Sequence, residues 1–296
     1  PVYVGFSLPY ANLGEVKSWG YEVSLKWADK IGSNFTYWLE GNLSYNQNEI
    51  VDIYEAPQSY DYMMQKGHRI GSRLIRQYWG LYSADADAAY RAQYGEGIPD
   101  HGITLEDGDA VYVDLNGDGV IDSNDQSYEL GYTDDPEYVA GLNLGFRWKN
   151  WELSMQWTAA WNVSRMLDET FRQPLGDTGN KGLLKVQYEH TWTPENPDPN
   201  SMYPRASMSH ASNNYAGSTL YEVDASYLRL KSAQLVYHFK LPFMEKIKMN
   251  DLSLALSGYN LLTFTSFDWG DPESRTSDRP SYPLTRTFAL TLKVGF

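Results

Sequence analysis

Five oxygen-bearing side chains recur within DLNGDGVIDSND, residues 114–125: Asp114, Asn116, Asp118, Asp122 and Asp125. They fill positions 1, 3, 5, 9 and 12 of an EF-hand-type loop, with Gly119 at the turning position 6 and the carbonyl of Val120 at position 7. Calcium takes about six or more oxygens, and this spacing curls them around one point. The stretch therefore predicts a structural Ca2+ clamp. Asp in place of Glu at the last position shortens the reach, and no helical pattern flanks the loop, so a helix-opening sensor is not expected. The same residues also suit an acid-rich turn held by Asx and Gly geometry with no ion.

No second constellation carries chemistry. His68, His101, His190, His210 and His238 are dispersed, and the HExxH, GxSxG and P-loop patterns are absent. Asp134-Asp135 and Glu106-Asp107 read as solvated loop charges, so no catalytic residue and no enzyme activity is expected. Cysteine is absent, which excludes disulfides, thiolate zinc sites and cysteine nucleophiles. The net charge of -14 is concentrated between residues 48 and 137, which carry 19 acidic and 5 basic side chains. The remainder is neutral, and nucleic-acid binding is not expected. Arg69, Arg73 and Arg76 stand out in that acidic segment, to pair with its carboxylates or to hold a ligand carboxylate.

The elements that must position these residues are strands. From Tyr138 to Trp148 the even positions are mostly apolar, and after Lys149-Asn150 the odd positions take over through Trp151, Leu153, Met155, Trp157 and Trp161. That is a hairpin with a two-residue turn. Similar alternation marks Lys17 to Trp27, Phe35 to Tyr45, Leu252 to Leu262 and Leu284 to Phe296. In SYLRLKSAQLVYHF the apolar face moves from Leu228 and Leu230 to Ala233, Leu235 and Tyr237, which predicts a bulge near residues 231–233.

Seven strands of roughly 11 to 15 residues reach the roughly 9 to 11 that a tilted membrane strand needs. Short and long connections alternate, the long ones covering about 48–137, 164–225 and 265–283. Outer-membrane barrels are built this way, with short periplasmic turns and long extracellular loops, and Trp148 and Trp151 beside a short turn suit an interfacial belt. The fold class expected is all-β. A soluble or surface-attached β-rich binding protein or adhesin, stabilised by calcium, is the alternative. Tyr78, Trp79, Trp192, Tyr203, Tyr215, Trp269 and Tyr282, in or beside long connections, are candidates to contact a ligand or a partner, or else to pack the loops against one another.

Seven short stretches in order along nearly the whole chain carry a resemblance. NLGEVKSWGYEVSLKW (12–27), GNLSYNQNEI (41–50), the 114–125 loop, WTPENP (192–197), SYLRLK (226–231), YNLL (259–262) and the terminal Phe296 resemble the SusC/RagA-type TonB-dependent outer-membrane transporters of Bacteroidetes. The resemblance implies the C-terminal portion of an antiparallel transmembrane barrel of about 22 strands, with plug and N-terminal strands outside this chain. It also implies import of oligosaccharides or oligopeptides, a SusD-like surface lipoprotein as lid, and energy from the TonB complex.

Overall fold

The computed structural model describes residues 13–175, 182–274 and 284–296. The chain opens with a long hairpin, β1 (Glu15–Ile31) and β2 (Phe35–Asp52), joined through Gly32, whose φ of 64° lies in the left-handed region. A long connection follows. It holds β3 (Ile75–Arg76), β4 (Tyr78–Leu81), helix α1 (Ala86–Tyr94), β5 (Ala110–Tyr112) and β6 (Gln126–Ser127). A second hairpin, β7 (Tyr138–Trp148) and β8 (Trp151–Trp161), turns on Lys149 with φ 54°. The second long connection contains β9 (Ser164–Met166), the single-turn helix α2 (Glu169–Arg172) and β10 (Glu222–Asp224). The chain then forms β11 (Tyr227–His238), β12 (Asp251–Thr265) and β13 (Thr287–Gly295).

Seven of these strands make one antiparallel sheet in the order β1-β2-β7-β8-β11-β12-β13. Each long strand pairs with its sequence neighbour, as the alternation predicts. Between Leu230 and Ser232 the register shifts against both β8 and β12. The extra residue restores parity, so Leu228, Leu230, Ala233, Leu235 and Tyr237 face Ala159, Trp157, Met155, Leu153 and Trp151 in turn. The bulge thus keeps one face apolar along the whole strand.

Register carries that face sideways. Tyr21, Tyr45, Tyr138 and Trp161 fall in one row across four strands, with successive ring centroids 5.3, 4.6 and 5.0 Å apart. At the turn end a second row runs through Phe35, Trp148, Trp151 and Tyr237, the last two rings meeting edge-on at 4.7 Å. Leu25, Leu39, Leu144 and Leu256 occupy the apolar face between them. The other face is polar, with Gln234 donating to Ser257 at 2.9 Å and ion pairs Lys26–Glu40 at 2.6 Å and Lys293–Asp251 at 3.0 Å.

The largest fully buried side chains are not in this sheet. Tyr112, Tyr203 and Tyr221 belong to the long connections, which gather at one end of the sheet and build their own core. That core is why the first connection is not featureless: α1 buries Ala86 and Tyr90, and β5 is buried throughout.

Candidate functional site: the loop body

Three groups of charged residues bind the connections to each other and to the rim of the sheet. In the first, the fully buried Asp109 accepts from Arg205 Nε at 2.7 Å and Asn214 Nδ2 at 2.9 Å on one oxygen. Its other oxygen accepts from the Glu106 amide at 2.8 Å and from His210 Nδ1 at 2.7 Å. Burial pushes this carboxyl up, but Asn214, the Glu106 amide, Arg205 and His210 outweigh it and hold it below the usual range.

In the second, Arg73 donates to Asp134 at 2.6 Å, Glu222 at 2.7 Å and the Tyr132 carbonyl at 2.9 Å. Arg165 on β9 reaches the same Asp134 at 3.2 Å, and Arg69 pairs with Glu137 at 3.3 Å. The Glu222 carboxylate lies against Gly131, whose φ is 75°, in space a Cβ would fill. Burial raises the Glu222 carboxyl, and the bonds from Ser164 and Arg73 do not fully offset it.

The third anchors the last connection. Arg229 on β11, almost wholly buried, donates to Asp271 at 2.8 Å, Glu273 at 2.9 Å and Thr263 at 3.1 Å. Of the three arginines singled out in the acidic segment, Arg69 and Arg73 pair with its carboxylates, whereas Arg76 lies over the Tyr112 ring, 5.3 Å from its centre.

The 114–125 loop closes on its own backbone. Asp114 accepts from the Gly117 and Gly119 amides, both at 2.7 Å, and Asp118 accepts from Val120 at 2.9 Å. Asn116 accepts from Asp118 at 2.9 Å, and Asp122 from Asn124 at 2.6 Å. Asp125, fully buried, accepts from Leu115 and Asp122, both at 2.8 Å. Its carboxyl is raised by burial and by the charges of Asp114 and Asp122. Residue types and spacing fit calcium, and in this arrangement the carboxylates accept the loop's own amides. Among the described residues no group of three or more acidic, histidine or cysteine side chains converges on a metal position. The loop is held in place from outside by Tyr62, whose hydroxyl donates to the Asn124 carbonyl at 2.7 Å, and by Asp100, whose carbonyl accepts from the Ile121 amide at 2.7 Å.

The candidate contact aromatics divide. Tyr203 and Tyr215 are buried in the core around Leu167 and Tyr221, and Trp192 is buried against Gly108, so loop packing takes the ring faces a ligand would need. Tyr78, Trp79 and Trp269 remain half-exposed. Trp79 donates to Gln93 at 2.9 Å, and Trp269 packs edge-on against Phe171 at 5.4 Å. Tyr282 lies outside the described residues. The buried Arg165 and the acceptor Asp109 have no signal in the sequence beyond charge in a tyrosine-rich connection, and Arg229 none beyond its place in the SYLRLK stretch of β11.

No family model matches the chain. TonB-dependent receptor P3 of Formosa agariphila is 27% identical over 321 residues, which is 100% of this chain and 30% of that receptor. TonB-dependent receptor SusC of Bacteroides thetaiotaomicron is 25% identical over 295 residues, covering 96% of this chain and 27% of SusC. The chain thus spans about a third or less of the length of the relatives it matches. Among solved structures, the RagAB peptide importer in its open-open state superposes with a TM-score of 0.74 at 19% identity, over 100% of this chain and 30% of that one. Along its full length the chain is thus similar to one portion of TonB-dependent receptors, and its antiparallel sheet, with an apolar face bounded by aromatic rows, has the fold of the matching part of the RagAB importer.

Proposed function

We propose that the chain forms part of an importer that takes up oligosaccharides or oligopeptides across the outer membrane, driven by TonB, with a SusD-like lipoprotein closing over the loop body. One observation carries this reading. The described parts of three long connections at one end of a membrane-type sheet are tied to one another and to the sheet by arginine–carboxylate contacts, which makes a rigid rim for a lid and a ligand instead of free loops. The likeness to the RagAB peptide importer supports the peptide class, and the oligosaccharide class rests on the sequence resemblance alone. Any calcium bound at residues 114–125 would be structural.

The test uses the full-length receptor. It is expected to require detergent, to migrate anomalously on electrophoresis unless boiled, and to co-purify with a surface lipoprotein encoded beside it. Cells lacking the receptor should lose uptake of one labelled pool, glycan or peptide. A receptor that stays folded and monomeric without detergent, or whose loss leaves both uptakes unchanged, would overturn the proposal.

A further inference from the structure

Arg76 and Arg172 differ from the other arginines of the loop body. Arg69, Arg73, Arg165, Arg205 and Arg229 each meet a carboxylate. Arg76 and Arg172 form no ion pair with a described residue, and the Nε of each is buried with no hydrogen-bond partner. Neither residue is sealed off, since both are half-exposed.

The fold brings them to the same two residues from different connections. Arg76, on β3, donates its amide to the Gly217 carbonyl at 3.0 Å and bridges to Ser218. Arg172, at the end of α2, lies over Gly217, where a Cβ would come within 3.7 Å of its Nη1. Ser218 is fully buried, with its hydroxyl against that of Tyr112. Stacking on Tyr112 accounts for Arg76 alone. Both guanidinium charges act on the Tyr112 hydroxyl, and neither meets a described carboxylate in a chain whose formal charge of -14 offers many. Planar guanidinium groups suit oxyanions in a bidentate fork.

We propose that Arg76 and Arg172, which reach the Gly217–Ser218 backbone from two connections, form a binding site for an oxyanion, the carboxylate or sulfate of an imported ligand. This rests on the import reading and narrows it to anionic oligomers. A uronate or sulfated sugar and a peptide carboxylate share this chemistry.

Equilibrium dialysis of the full-length receptor in detergent against radiolabelled inorganic sulfate, at ionic strength fixed with chloride, tests it. One saturable site is expected per receptor, weakened at least about tenfold in Arg76→Gln and in Arg172→Gln, the loss of one charge-assisted contact. Arg76→Lys, which keeps the charge without the fork, is expected to fall between. Unchanged heat-modifiable mobility of the variants confirms that the barrel is intact. Displacement of sulfate by glucuronate but not glucose supports a sugar acid, and displacement by a free-acid peptide but not its amide supports a peptide carboxylate. No saturable binding, equal binding by both Gln variants, or displacement by neither organic acid overturns the site. A receptor that binds sulfate in this way but imports neither pool sinks the import reading and leaves the anion site standing.

Discussion

Asp109 of the first long connection and Arg205 of the second meet at 2.7 Å inside the loop body, 96 residues apart in the chain. The carboxylate is fully buried and also takes His210 and Asn214, so it joins two connections at one atom group.

Asp109→Ala leaves Arg205 and His210 facing a void. Removing one partner of a buried pair costs about 3–5 kcal/mol. The cost is expected to fall on the loop body, with faster amide exchange at residues 105–112 and 205–215 and unchanged protection in β7 and β8. Equal exchange in variant and wild type would show that the connections are held by other contacts.

Acid has opposite effects at two carboxylates. The Asp109 carboxyl is held below its ordinary value of 3.8, so its stabilisation is present above that value and lost as pH falls through the lower, folded one. Glu222 is raised from 4.5, so its contribution is present below 4.5 and lost as pH rises through the raised value. Glu222→Gln is therefore expected to raise the thermal midpoint of the loop body at pH 7, with the gain vanishing below about pH 4.5. A variant less stable than wild type at pH 7 would show that the charge itself is needed by Arg73.

Gly108 has φ 85°, and a Cβ there would overlap the Trp192 ring. Gly108→Ala adds backbone strain to overpacking, which costs about 1–3 kcal/mol. Exchange should accelerate at residues 191–193, across the contact. A change confined to residues 106–110 would show that the indole simply moves aside.

Asp114→Ala removes the acceptor of two amides, worth about 1 kcal/mol each. Proteolysis within residues 114–125 should become faster to the same extent in chelator and in calcium. Protection of the wild-type loop by calcium alone would show that the carboxylates leave their amides to take the ion.

The seven long strands and the bulge could be read from alternation because a two-sided sheet writes its faces into every second residue, and one extra residue in β11 displaces the pattern visibly. The loop body could not. Tyr203 is buried by Leu167 and Tyr221 within one connection, and Asp109 is paired with Arg205 across two, through contacts that have no period. Helix α1 was missed for a related reason: Ala86 and Tyr90 point inward, but its other residues are exposed, with Ala88, Ala89 and Ala92 among them, so no apolar period marks one face. In the 114–125 loop, spacing picks out the oxygens and leaves open what they bind, because an Asx turn and a calcium ligand ask for the same oxygen.

The two aromatic rows act as a ruler. Tyr138 and Trp148 mark them on one strand, ten residues apart, which is about 33 Å along an extended chain at about 3.3 Å per residue. A strand tilt of about 40° reduces this to roughly 25 Å of height, the band of an outer-membrane barrel. That is less than the roughly 30 Å hydrocarbon core of a typical bilayer. The chain is thus gauged for a thin membrane, and a thicker one would have to pinch around it or leave its leucines short of cover.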